Sequence, residues 1–219
     1  MSRVLRPLLV AGNDKLSAGV FHFDIPAVQT CPGRSALCES RCYANRGRFL
    51  FPQVQERLEW NYTQSKLANF ADRMADELYR KGILLMRWHV AGDIYSPGYA
   101  RKMLEVIGRS PHCTFWFYTR SWRVPTIFPL IRALAILPNC KVWLSADAET
   151  GYPPEVPEGC RVAWMQTDET DGCEEADLVF LDRPLRKVAL PMSQICPAET
   201  PLGKERGTTC ATCRVCWTG

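Results

Sequence analysis

The stretch from residue 83 to residue 147 alternates short apolar runs with amphipathic ones, and this pattern constrains the fold more than any other feature of the chain. "ILLMRWHVAGD" (83–93) is mostly apolar, ends in a Gly-Asp turn and reads as a buried strand. "SPGYARKMLEVIGRS" (96–110) reads as a helix, with Ser96 as N-cap and Pro97 at the first helical position. "CTFWFYTRS" (113–121) reads as a strand, "TIFPLIRALAIL" (126–137) as a helix and "CKVWLSAD" (140–147) as a strand. Strand, helix, strand, helix, strand implies parallel βα units with helices covering the sheet.

The flanking segments extend the pattern. "AGVFHFDIP" (18–26) alternates apolar and polar residues and reads as a strand closed by Pro26. Residues 54–81 turn helical, with Leu67, Phe70, Ala71, Met74 and Leu78 on one stripe and Gly82 at the stop. Residues 161–168 and 176–184 read as two further short strands, and 186–192 as one more. At least six strands are expected, the later ones joined by short irregular pieces. The expectation is an α/β fold, an open, partial βα barrel in preference to a flat doubly wound sheet. Residues 1–192 form the α/β unit and 193–219 a cysteine-rich tail.

Cysteine usage is the second strong constraint. The chain of 219 residues holds 11 cysteines and carries no stretch that reads as a signal peptide. A cytoplasmic location is expected, and there such cysteines argue for metal or redox work over a disulfide framework. Cys31, Cys38 and Cys42 form one group, directly after the first strand, in a Cys-x6-Cys-x3-Cys pattern. Cys196, Cys210, Cys213 and Cys216 form a second, on the tail. Cys113, Cys140, Cys160 and Cys173 are scattered and read as small buried hydrophobes. Three thiolates on one loop can hold three corners of an iron–sulfur cube and leave one iron open. The four tail cysteines complete an all-cysteine site, a second [4Fe–4S] cluster or a zinc site. A metal there would supply folding energy that "RGTTCATCRVCWTG" cannot gain from apolar burial. Alternatively both groups meet around one cluster.

In parallel α/β folds, sites gather at the C-terminal ends of strands. Those ends carry Asp93 after the second strand, Arg120 after the third, Ser145 and Asp147 in the fourth and Gln166, Thr167 and Asp168 in the fifth. Asp182 and Arg183 end the sixth. Asp93 and Arg120 are the candidate catalytic pair; Asp93, Ser145 and Gln166 are candidates for cofactor binding. His89 lies within a strand and reads as a satisfied core histidine. The loop also carries Arg34, Arg41, Arg46 and Arg48 against Glu39, a rim suited to carboxylate or phosphate. The net charge of +4 permits an anionic partner without demanding one, and no apolar run is long enough to span a membrane.

The order of a strand, a three-cysteine loop, a helix, a strand ending "AGD" and another helix resembles the start of the radical S-adenosylmethionine enzymes, which are partial barrels. The resemblance implies a cluster on Cys31, Cys38 and Cys42, with Asp93 where that superfamily holds the methionine amino group. Its usual spacing is Cys-x3-Cys-x2-Cys. The motifs "TCPG", "CYA", "HVAGDIYS" and a terminal cysteine set ending in Cys-Trp are more closely similar to a phage and plasmid family, the gene-product-88-like proteins. Two functions are expected from these readings. One is an iron–sulfur enzyme using S-adenosylmethionine or another small ligand and an external electron donor. The other is a metal-stapled binding or regulatory protein, of zinc or iron–sulfur type, that faces nucleic acid without catalysis. Tryptophans favour the second only weakly, because Trp88, Trp116, Trp143 and Trp164 fall within the expected strands.

Overall fold

The computed structural model describes residues 6–182 and 191–218. The chain opens with β1 (Val10–Ala11) and β2 (Phe21–Phe23), followed by the cysteine loop and its short helix α1 (Ala36–Arg41). Next come α2 (Pro52–Lys66), α3 (Phe70–Arg80), β3 (Leu85–Trp88), α4 (Pro97–Gly108) and β4 (Thr114–Thr119). Then follow α5 (Phe128–Ala135), β5 (Cys140–Asp147), β6 (Cys160–Gln166) and β7 (Leu178–Leu181). The tail adds α6 (Pro201–Glu205) and α7 (Cys210–Cys213).

All seven strands form one sheet, and their spatial order is their order in the chain. β1 pairs antiparallel with β2; every later pair is parallel. The α/β expectation is met. A doubly wound sheet reverses its strand order at a switch point, and this one does not.

The helices form where the sequence signals them. The Ser96 hydroxyl accepts from the Tyr99 N–H, and Pro97 opens α4. Phe70, Ala71, Met74 and Leu78 give α3 its buried stripe. Gly82 stops it at φ +60°, where an L side chain would be strained. Residues 54–81 are not one helix, as expected, but two. The break falls at Leu67–Asn69, where Leu67 is extended and 42% exposed, outside the stripe it was assigned to. The strand expected over 18–26 shortens to β2 and that over 83–93 to β3, because His89 turns to φ +57° and leaves the sheet. The strand expected at 186–192 falls mostly outside the described residues, and Arg183 lies outside them too.

The two faces of the sheet are covered differently. Met86, Trp88, Phe115, Phe117, Val142 and Leu144 pack against α3, α4 and α5 in the main core. Alternate residues point the other way: Leu85, Trp116, Tyr118, Trp143, Ala163, Leu178 and Phe180. That second face is covered by Leu16 and Val20 and by the tail, through Cys196, Cys210, Val215, Cys216 and Trp217. Trp143 Nε1 donates to the Cys216 carbonyl at 2.9 Å, and the Arg161 guanidinium donates to the carbonyls of Val215 and Thr218. Full burial of a large aromatic side chain contributes about 1.5–3 kcal/mol. The tail therefore gains apolar burial after all, with Trp116 and Trp143 beneath it at 0% and 1% exposure.

Candidate functional site

The first cysteine group sits over the C-terminal ends of the strands. The loop is pinned there by three sets of contacts. The Ser35 hydroxyl caps α1 by accepting from the Cys38 N–H at 2.9 Å and donates to Asp147 Oδ2 at 2.7 Å. The Glu149 carboxylate accepts from the Ala36 and Leu37 N–H groups, filling the remaining donors of the α1 first turn. Arg123 Nη1 donates to the carbonyls of Gly33 and Arg34. Gly33 is required by this approach: a Cβ on it would stand 2.0 Å from the Arg120 carbonyl oxygen.

The three thiols are half-buried. Burial, reinforced by the negative charge of Asp93, pushes the Cys31 thiol up to about 12. Burial also raises Cys38, while the neighbouring Arg120 acts in the opposite sense. Arg120 is the buried cation of the site, at 7% exposure. Its Nη1 lies 2.7 Å from Asp147 Oδ2, yet it is too poorly aligned to donate a hydrogen bond. The contact is an ion pair with the Arg120 donor unused.

Asp93 joins β3 to β4. Its Oδ1 accepts from the Ile94 N–H at 2.7 Å and from the Thr119 hydroxyl at 2.6 Å; its Oδ2 accepts from the Arg120 N–H at 2.8 Å. Burial raises its carboxyl above the ordinary value, and these donors pull the other way. Ser145 lies on the tail-covered face of β5, as does Asp147 two residues on, and its carbonyl accepts from Trp122 Nε1. Gln166 does not join them. It pairs across the sheet with Leu181 and so shares the face of Val162 and Trp164; its Nε2 donates to the Asp168 carbonyl. Counting by two along β6 from Ala163 would have shown this.

The basic rim is largely satisfied. Arg34 pairs with Glu39, Arg41 with Asp182 at 3.3 Å, and Arg46 donates to the Ser40 carbonyl. Arg48 and Asp14, 3.6 Å apart, are both widely exposed. His89 is buried, with Nε2 hydrogen-bonded to the Tyr99 hydroxyl at 2.9 Å and Nδ1 without a partner.

The second cysteine group lies on the tail-covered face, with Cys216 against β4 and β5 and Cys196 beside the edge strand β7. The Cys196 N–H donates to the Val179 carbonyl, and the Cys210 N–H to the Lys15 carbonyl. The Tyr118 hydroxyl donates to the Cys216 sulfur at 2.7 Å. Burial pushes the Cys196 thiol up to about 12 and raises Cys210 and Cys216 as well. Among the described residues, no group of three His, Cys, Asp or Glu side chains stands in a ready metal-binding arrangement. Of the scattered cysteines, Cys113, Cys140 and Cys173 are buried, as read from the sequence, and Cys160 is half-buried.

Reasoning from sequence missed Ser35, Glu149 and Arg87. Arg87 carried a signal, a charge set inside an apolar strand run. The contact of Ser35 with Asp147 and those of Glu149 with the first turn of α1 span more than a hundred residues and have no local trace.

Fold and site together define a singly wound α/β protein with cysteine thiols over its strand ends and a cysteine-bearing tail across one face of its sheet. The chain belongs to the Gene product 88 family, whose model matches residues 7–219. It is 28% identical over 204 residues to the Gene 88 protein of Mycobacterium phage L5, an alignment covering 87% of this chain and 79% of that protein. It is 27% identical over 207 residues to the Gene 88 protein of Mycobacterium phage D29, with the same coverage. No solved structure matches the chain. Among the described residues no helix is long and apolar enough to cross a membrane.

Proposed function

We propose that the chain is an iron–sulfur protein similar in plan to the radical S-adenosylmethionine enzymes. Cys31, Cys38 and Cys42 would hold a [4Fe–4S] cluster at the strand ends, and Cys196, Cys210, Cys213 and Cys216 an auxiliary centre. The observation that carries this reading is the placing of the first thiol group over the ends of parallel strands, beside the buried Arg120. Parallel α/β proteins bind their ligands there. The unreversed order of the strands supports an arc of a βα barrel. The donor chemistry fits, since soft thiolates favour iron–sulfur clusters and zinc. The arrangement is not preformed. Binding would displace the thiol protons and draw short, loop-borne segments together, the usual coupling of metal binding to folding.

A bound cluster would supply an open iron for a small ligand and, once reduced by an external donor, an electron. The chain's own residues would do the rest. The buried Arg120 cation stands near Cys38 and is of the kind that suits a carboxylate or phosphate. Asp93 holds Thr119 and the Arg120 backbone in place, and its carboxylate is the acceptor an amine would meet. Ser145 faces the same side of the sheet. Gln166 faces the other and takes no part.

The test is iron and acid-labile sulfide content, with visible and EPR spectra, on protein purified without oxygen. About four irons per cube are expected, followed by S-adenosylmethionine cleavage to methionine under reducing conditions. Zinc without labile sulfide, and no cluster after anaerobic reconstitution, sinks the enzyme reading. A metal-stapled nucleic-acid-binding protein is the second reading. It is favoured by the exposed Tyr43, Leu50 and Phe51 beside Arg46 and Arg48. Salt-dependent binding of single strands without turnover would support it.

A further inference from the structure

Arg87 lies within β3 on the face that the tail covers. It stands out because a strand interior is an expensive place for a charge. Its Nε is buried and has no hydrogen-bond partner. Its guanidinium lies over the Tyr118 ring, 5.1 Å from the centroid. The groups of opposite polarity that face it are Tyr43, Tyr118, Cys210 and Cys216. Among the described residues Arg87 makes no ion pair with a carboxylate. The neighbouring cation Lys15 differs in this respect, since Glu199 pairs with it at 2.9 Å. Arg87 is half-buried, and a guanidinium set there among neutral phenols and thiols has no compensating charge beside it. An anion held by those thiols removes the conflict. The Tyr118 hydroxyl already points its proton at the Cys216 sulfur, the direction that suits a thiolate acceptor.

We propose that Arg87 and Tyr118 are positioning residues for an anionic thiolate centre on the tail, Arg87 as its half-buried counter-charge and Tyr118 as a hydrogen-bond donor to Cys216. The inference rests on the metal-binding reading of the tail cysteines. Four thiolates around one zinc ion, or around an oxidised cube, carry a net charge of about −2. The Arg87 charge offsets part of it inside the protein. With either metal the centre is held against chelators; an iron–sulfur cluster is in addition easier to reduce, because nearby cations and hydrogen bonds to sulfur raise its potential.

The experiment uses the full chain with Cys31, Cys38 and Cys42 changed to alanine, so that the signal comes from the tail, and repeats the series with those cysteines restored. Arg87→Met, Arg87→Lys and Tyr118→Phe are compared with their parent for metal loss to EDTA and, where labile sulfide is present, for midpoint potential. Arg87→Met should speed metal loss at least tenfold. It should also lower the midpoint by about 59 mV, a tenfold change in a one-electron equilibrium. Arg87→Lys should restore most of both, and Tyr118→Phe should fall between. Equal metal retention and potential in Arg87→Met and its parent overturns the proposal. If Arg87→Met does not fold, Tyr118→Phe decides in the same way. A parent that holds neither iron nor zinc on the tail overturns the metal-binding reading as well. A metal-loaded parent with indifferent variants overturns this inference alone.

Discussion

The Ser35 hydroxyl donates to Asp147 Oδ2 at 2.7 Å, joining residues 112 apart in the chain and tying the cysteine loop to the end of β5. The same Oδ2 faces Arg120 Nη1 at 2.7 Å, and Oδ1 accepts from the Glu149 and Thr150 N–H groups. One carboxylate, fully buried, thus holds the loop, the buried cation and the turn after the strand.

Asp147→Ala should therefore be among the most damaging substitutions near the site. It strands the Arg120 charge, a loss of about 3–5 kcal/mol for a broken buried ion pair. Urea unfolding followed by circular dichroism measures it. Asp147→Asn keeps an acceptor for Ser35 but loses the charge, and should recover only part of the stability. A loss below about 1 kcal/mol for the alanine variant would assign Arg120 another partner.

His89 makes stability depend on pH. Burial lowers its pKa from 6.5 to about 4, with Asp24 opposing and Arg87 reinforcing the shift. Below 6.5 the unfolded chain takes up a proton that the folded chain refuses until about pH 4. Stability from this group is present above pH 6.5 and is lost as pH falls toward 4, by about 3 kcal/mol in total. His89→Asn should flatten that part of the profile, because asparagine tolerates φ +57° and does not titrate. Parallel pH curves for the two proteins between 4 and 6.5 would refute the assignment.

Glycines separate close approach from open turn. Gly33→Ala would put a Cβ 2.0 Å from the Arg120 carbonyl oxygen; Gly92→Ala, at φ +86°, would put one 2.4 Å from Ile25 Cγ1. Gly47 also has positive φ, at +57°, but nothing lies within 4 Å of a Cβ there. Gly47→Ala should cost about 1–2 kcal/mol. Gly33→Ala should cost more and should also lower metal uptake by the cysteine loop, because either the loop or the β4 end must move. Thermal melting with metal analysis distinguishes the three. Gly33→Ala melting no lower than Gly47→Ala would show that the loop sits farther from Arg120.

Elements governed by local periodicity were legible in the sequence. β5 occupies the same residues, 140–147, as the strand read there, and α4 begins at its Ser96 cap. The loop carrying Cys31, Cys38 and Cys42 follows β2 as expected. What covers the second face was not legible. Trp116 and Trp143 read correctly as core, but periodicity assigns a residue to a face and says nothing about the partner. Here the partner is the chain's own tail, over seventy residues from Trp143. The site was legible as a set of residue types and not as a set of contacts. Asp93 was found as an acidic strand end, while its ties to Thr119 and Arg120 emerge only once β3 and β4 pair.

Removing the end of the tail should expose that face. A chain ending at Thr208 loses Cys210, Cys216 and Trp217, which cover Trp116, Tyr118 and Trp143. Trp143 Nε1 loses its acceptor, the Cys216 carbonyl, and Arg161 loses the Val215 and Thr218 carbonyls. Water then reaches the Trp116 and Trp143 rings, which are now almost wholly buried. The truncated chain should show red-shifted tryptophan emission, stronger binding of an apolar dye and a tendency to associate, as large exposed apolar patches do. The helix-covered face keeps its own core on α3, α4 and α5, so far-ultraviolet circular dichroism should change little. Chelation of a tail-bound metal from the full chain should move emission the same way but by less, since the apolar contacts of Trp217 and Val215 remain available. Emission unchanged by truncation would mean that the tail does not rest on Trp116 and Trp143 in solution.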